Sequence, residues 1–261
     1  MYIGAGFWIL ALLALAGCAE PVRPPMIITE PKPPPAIAIT PVEHRIVGKS
    51  VQNRLIMCTV LGQGTDTTLI LATIHGNEPA GTPLVHRLSE ELQKNTHLLQ
   101  GRKVVLMPTA NPDGAARYSR YNANGVDLNR NFASANRSNS ERHGYAALSE
   151  PEAGAIASVI RQYSPDRIVS IHQRTQNASA CIDYDGPGQR LADLMANHCG
   201  SPIHRFGAQP GSLGSYAGLT LGIPIITLEL PFNAQSLSAD SLWQQYRSAL
   251  MAAVTYSNMA K

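Results

Sequence analysis

Charge is scarce in this 261-residue chain: 15% of its residues are charged, and 21 Lys+Arg against 18 Asp+Glu leave a formal net charge of +3. There is no run of basic residues, so a nucleic-acid partner is not expected. Cysteine is scarce too. Four in a chain this long do not make a disulfide scaffold, although one bridge remains open in an oxidising compartment. Internal repeats are missing, which excludes a solenoid or propeller. The N-terminal apolar run, Phe7 to Ala16, is only about ten residues long, too short to span a bilayer as a mature helix and about right for a signal-peptide core. The 44% hydrophobic content excludes disorder throughout, and the length fits one domain with appendages.

The appendages lie at the N-terminus. The apolar run ends in Leu15-Ala16-Gly17-Cys18, which resembles a bacterial lipobox, in which the chain is cut before the cysteine and Cys18 becomes the acylated N-terminal residue. Met1 to Gly17 holds no Lys or Arg, a departure from the positive n-region of signal peptides. Between Glu20 and Pro41 fall eight of the nineteen prolines, a composition that favours extended polyproline II and builds no core. The expected organisation is a signal peptide at 1–17, a lipid-anchored Pro-rich linker at 18–43 and one folded domain at 44–261. The protein would then be exported and membrane-anchored through its lipid, facing the periplasm, with the outer membrane as the default.

From His44 on, apolar periods of two and of 3.6 residues alternate. Strands are expected at Arg45–Val47, Leu55–Leu61, Thr68–Ile74, Lys103–Met107, Arg167–Ile171 and Ile223–Leu230. Helices are expected at Pro79–Lys94, with Pro79 in the first position, at Pro151–Tyr163, at Gln189–Cys199 before Gly200, and at Ala239–Asn258. This alternation predicts an α/β fold: a mostly parallel mixed sheet covered by helices on both faces.

Ligands of such sheets sit beyond the carboxyl ends of the strands, and three strands here end on chemistry. Thr68–Ile74 runs into His75-Gly76-Asn77-Glu78, Arg167–Ile171 runs into His172, and Ile223–Leu230 carries Glu229 near its end. A His and a Glu three residues apart in a turn can chelate one ion. His172 would complete three ligands and leave a position open, the arrangement of catalytic zinc. HxxE alone is a weak signal.

The remaining motifs decide. Asn111-Pro112-Asp113-Gly114, Arg120-Tyr121-Asn122, Gly125-Val126-Asp127-Leu128-Asn129-Arg130-Asn131-Phe132, Ser170-Ile171-His172 and Thr227-Leu228-Glu229-Leu230-Pro231 follow in that order. Together with HxxE the set resembles the M14 zinc carboxypeptidase family across about residues 75 to 231. Within it, Ala180–Pro187, Pro210–Tyr216 and Leu221–Pro224 are similar to the compact murein peptide amidases, which cleave the γ-D-glutamyl-diaminopimelate bond. Those are cytoplasmic recycling enzymes, whereas this leader implies export, so a periplasmic role on wall-derived peptides would follow.

The resemblance implies one Zn²⁺ per chain held by His75, Glu78 and His172. It implies Glu229 as the general acid/base that takes the proton of the zinc-bound water and delivers it to the leaving amine. Arg120 matches the arginine that stabilises the oxyanion, with Arg117 as the neighbour in a shifted register. Asn129 and Arg130 match the pair that holds the substrate carboxylate, and Asp127 orients their loop. The family's substrate-closing tyrosine has Phe206 near its position, so the phenol is absent or comes from Tyr216. Arg174 is either a second carboxylate contact or a solvated surface arginine. Cys181 and Cys199 are the candidate bridge, and Cys58 is a small core residue. The expected substrate is a peptidoglycan-derived peptide. A broader metallocarboxypeptidase, an N-acyl amino acid deacylase, and an inactive lipoprotein that binds wall peptides are the alternatives.

Overall fold

Strand and helix boundaries follow from where the apolar period changes and from what caps each end. The computed structural model describes Met1, residues 42–175 and residues 177–256. The signal peptide, Cys18 and the linker as far as Pro41 lie outside the described residues. The described chain forms β1 (Val42–Lys49), β2 (Leu55–Leu61), β3 (Asp66–Ala72), α1 (Gly81–Lys94), β4 (Arg102–Met107), α2 (Pro112–Ala116), α3 (Pro151–Tyr163), β5 (Arg167–Gln173), β6 (Cys181–Asp185), α4 (Gln189–Cys199), β7 (Ile225–Leu230) and α5 (Ala239–Thr255). A π-helical turn, Ser215–Thr220, precedes β7.

The strands make one seven-stranded sheet in the order β1-β2-β4-β3-β5-β7-β6. β4, β3, β5 and β7 run parallel, while β1 and β2 on one edge and β6 on the other are antiparallel. The expected mixed α/β sheet is therefore present. Alternate residues of each strand enter opposite cores. Ile70, Val169, Ile226 and Leu228 meet α1, α4 and α5 on one face. Leu69, Leu71, Ile168 and Ile225 meet α3, Phe132 and Leu213 on the other. Leu84, Val85, Leu88 and Leu92 of α1 are all fully buried, each contributing about 1.5–3 kcal/mol by leaving water.

Local chemistry sets the ends. Pro151 opens α3, Gly200 at φ 67° closes α4, and the Ser238 side chain caps α5 by accepting from the Ser241 amide. Two boundaries and one strand depart from the sequence reading in ways that bear on the site. β3 stops at Ala72 because Thr73 takes φ 55°, a left-handed conformation that turns the chain out of the sheet. Helix α1 begins at Gly81 and not at Pro79, because residues 75–80 form the turn in which the Glu78 amide donates to the His75 carbonyl. Strand β6 was not foreseen: its apolar and acidic residues alternate over only five positions.

Candidate active site

The site is built where β3, β5 and β7 end. His75 and Glu78 sit in the turn after β3, His172 is the penultimate residue of β5, and Glu229 is register-paired with His172 from β7. The β3 turn is seated by a backbone-to-backbone contact: a Cβ at Gly76 would lie 2.0 Å from the Gly114 carbonyl carbon, so only glycine fits. That gives the Asn-Pro-Asp-Gly motif its function. Asn111 Nδ2 donates to the Ile74 carbonyl and Asn111 Oδ1 accepts from the Gly114 amide, holding one turn against the other.

His75, Glu78 and His172 are buried, and one donor atom from each lies within 4.8 Å of the others. Both imidazoles approach Glu78 through Nδ1, His75 at 2.8 Å from Oε1 and His172 at 2.9 Å from Oε2. On its far side His75 Nε2 is 3.1 Å from Asp127 Oδ1, the orienting carboxylate that metal-binding histidines ordinarily have. Asp127 also accepts from Arg120 Nε at 2.9 Å and from the Asn129 amide at 3.0 Å. It thus ties the metal-type cluster to the arginine and to the carboxylate-binding loop. Two imidazole nitrogens and a carboxylate, packed together and backed by a second carboxylate, suit a zinc ion that retains an open position.

Within the cluster the histidines and carboxylates compensate one another's charge. Burial lowers the pKa of His75, but Glu78 and Asp127 outweigh it and raise it to about 9. Burial likewise opposes ionisation of Glu78 and Asp127, yet the histidines hold both carboxyls well below the usual range. Glu229 is the contrast. Its burial dominates and raises its pKa despite His172, which strengthens the carboxylate as a base.

One cavity of about 360 Å³ is lined by these residues and by Arg120, Asn129 and Arg130. Asn129 is fixed through Oδ1, which accepts from the Leu213 amide at 2.8 Å, and Arg130 is steadied by its bond to the Asn129 carbonyl. Arg117 is elsewhere: its guanidinium donates to the carbonyls of Asp113 and Asn122. Tyr216 is also elsewhere, stacked on Phe132 at 5.8 Å inside the second core, because its π-helical turn packs against that face. It therefore does not supply a cavity phenol. Phe206 does line the cavity, with the Arg174 guanidinium 4.7 Å from its ring centroid, so Arg174 is a cavity residue packed on an aromatic face. Cys58, Cys181 and Cys199 are three separate buried thiols.

Sequence reasoning missed the acidic end of this cavity, Asp183 and Asp185 of β6. Its signal was the alternation Cys181-Ile182-Asp183-Tyr184-Asp185, which puts both acids on one strand face.

Fold and site together define a metal-dependent hydrolase built on a mixed α/β sheet. The chain belongs to the zinc carboxypeptidase family, peptidase M14, which matches residues 40–204, and it is a zinc metallopeptidase. It is 34% identical over 203 residues to murein peptide amidase A of Escherichia coli K12, covering 71% of this chain and 78% of that protein. The crystal structure of murein-tripeptide amidase MpaA from Escherichia coli O157 superposes with a TM-score of 0.61 at 26% identity, over 83% of this chain and 93% of that one. Carboxypeptidase A from Helicoverpa armigera has the same fold, with a TM-score of 0.67 at 21% identity over 83% and 69% of the two chains.

Proposed function

We propose that this protein is an exported amidase that removes diaminopimelate from peptides of the L-Ala-γ-D-Glu-diaminopimelate type. The observation that carries the reading is one cavity in which the His75-Glu78-His172 cluster, a buried Glu229 and the Arg120-Asn129-Arg130 group all face the same space. The likeness to murein peptide amidase A along most of both chains supports the substrate class.

Each residue has its task. His75, Glu78 and His172 would hold one zinc ion, which when bound polarises the scissile carbonyl and lowers the pKa of water. Arg130, helped by Asn129, binds the α-carboxylate of the C-terminal residue and fixes the bond to be cut. Glu229 accepts a proton from the attacking water and passes it to the leaving nitrogen, its raised pKa favouring the first of the two transfers. Arg120, held at the cavity by Asp127, places its guanidinium where negative charge develops on the carbonyl oxygen.

The address is part of the proposal. Leu15-Ala16-Gly17-Cys18 supports processing and acylation at Cys18, and the following prolines support a stalk that holds the domain off a bacterial membrane facing the periplasm. Among the described residues no helix is long and apolar enough to cross a membrane.

The test is incubation of the zinc-supplied protein with L-Ala-γ-D-Glu-meso-diaminopimelate and with a dipeptide ending in an aromatic residue, products read by mass spectrometry. Release of free diaminopimelate from the first alone, and its loss in Glu229→Gln, is the expected result. Turnover of the second alone would overturn the substrate and keep the metallopeptidase. Incorporation of labelled palmitate, abolished by Cys18→Ser, tests the anchor.

A further inference from the structure

The two edges of the sheet end differently. At the β6 edge the chain returns and seals the strand: the Ile182 amide donates to the Pro202 carbonyl, the His204 amide donates to the Ile182 carbonyl, and Ile203 bridges Ile182 in parallel. At the other edge β1 pairs with β2 on one side, and among the described residues no backbone group takes up its outer side. An open edge is a row of unspent donors and acceptors, a template for another strand.

The regular part of that edge is short. The register of β1 on β2 shifts between Ile46 and Gly48, which leaves the stretch Val42-Glu43-His44-Arg45-Ile46. All five residues are exposed, Ile46 at 60%. Glu43 and Arg45 lie opposite Val60 and Cys58, on the face that carries α3. Val42, His44 and Ile46 take the other face, opposite Leu61, Thr59 and Met57. There the helical layer stops short: Leu61 is buried in the core with α1, whereas Met57 and Leu55 are 38% and 49% exposed.

This stretch is complementary to itself. A second copy related by a two-fold axis perpendicular to the sheet lays its β1 antiparallel to the first, and residues that come to stand opposite each other share a face. With the axis at His44, Glu43 stands opposite the partner's Arg45, and Val42 opposite the partner's Ile46. An axis one residue to either side sets Glu43 against Glu43 or Arg45 against Arg45, like charges directly opposite. Apolar rows then cross the seam: Met57, Ile46, the partner's Val42 and the partner's Leu61 lie side by side, and the two-fold repeats the row.

We propose that β1 is the surface at which two copies of this chain join, antiparallel about His44, into one continuous sheet with seven strands from each copy. Within one chain Arg45 Nε donates to Glu43 Oε2 at 2.8 Å; across the seam each of these charges gains a second partner of opposite sign. Strand β1 runs in the direction of β3, β5 and β7, so the partner's strands run the other way and the two cavities open at opposite ends of the joined sheet. A seam of five residues is smaller than a standard interface, so the dimer is weak and forms with rising concentration.

Sedimentation equilibrium of the full chain in a non-ionic detergent, at loadings up to about 0.3 mM, reads the association. The average mass is expected to climb from one chain towards two, and a monomer at every loading overturns the proposal. Arg45→Glu and Glu43→Arg each set like charges across the seam, and each is expected to raise the dissociation constant at least about 10-fold. Mixed in equal amounts, the two variants restore Glu opposite Arg at both places, and the mixture is expected to dimerise within about 3-fold of the unaltered chain. Association indifferent to both substitutions, as clustering of the N-terminal apolar run would give, overturns the proposal, as does a mixture no more associated than its components. Ile46→Lys supplies a check that needs neither charge variant to fold, because Ile46 packs against little within its own chain. A lysine in the apolar row is expected to weaken association at least about 10-fold, and unchanged association overturns the proposal.

Discussion

The two ends of the cavity differ in how their charge is compensated. At the metal end Glu78 and Asp127 have internal partners: Glu78 faces both histidines, and Asp127 spans His75, Arg120 and the Asn129 amide. At the far end no such partner reaches Asp185 among the described residues, and it is pressed between glycines. A preorganised network holds reacting groups in place without help from the substrate. An uncompensated group does the opposite and leaves part of the stabilisation to the ligand, which is how a polar pocket gains discrimination against analogues lacking the matching group. The difference divides the cavity into a preorganised end and an end whose charge is less compensated.

The strongest way to break this division is to remove the metal. Chelation is expected to abolish turnover, with recovery on adding zinc, and His172→Ala is expected to lose both the ion and the activity by removing one of three donors. Glu229→Gln separates chemistry from metal binding. It should lower kcat by about 10²–10⁴-fold while retaining zinc, as elemental analysis of the purified variant would read. Loss of zinc from that variant would mean that Glu229 belongs to the metal network and not to proton transfer.

How much of this was legible beforehand depends on the range of the signal. The metal-type ligands and Glu229 sit at strand ends, where an apolar run marks the element and a short motif marks its exit, so both were readable along the chain. The partnership of Asn111 with the Ile74 carbonyl was not, because it joins turns 37 residues apart that only the parallel pairing of β3 and β4 brings together. Tyr216 was misplaced as a candidate phenol for a similar reason: the π-helical turn rotates it into the core against Phe132, a rotation no local spacing encodes. Helix α1 was started too early because Pro79 carries the usual first-turn preference, while the turn that positions Glu78 uses those residues first. Strand β6 escaped because acids at alternate positions look like a polar loop until β7 is set beside them.

A smaller effect is expected at the link between the two ends. Asp127→Ala would leave His75 Nε2 without its acceptor and Arg120 with only its 3.4 Å bond to Glu78, so zinc affinity should fall about 10–100-fold. Competition with a chelator of known affinity measures it. Unchanged affinity together with lowered kcat would assign Asp127 to Arg120 alone.

The smallest effect sharpens the comparison through stability. Burial, then repulsion from Asp183, push the Asp185 carboxyl up to about 6, with Arg205 opposing. An unfolded aspartate ionises near 3.9, so between about pH 4 and 6 the folded chain holds a proton that the unfolded chain has released, and stability falls as pH rises through that window. Asp185→Asn removes this penalty. It should raise stability by about 1–2 kcal/mol at pH 7.5 in the ligand-free enzyme, with the gain shrinking towards zero below pH 4, as thermal unfolding across pH would record. A gain in stability would mark Asp185 as a group that packing alone does not explain. If Asp185→Asn instead lowered stability at neutral pH, the carboxylate would have a structural partner, and the far end of the cavity would be as internally satisfied as the metal end.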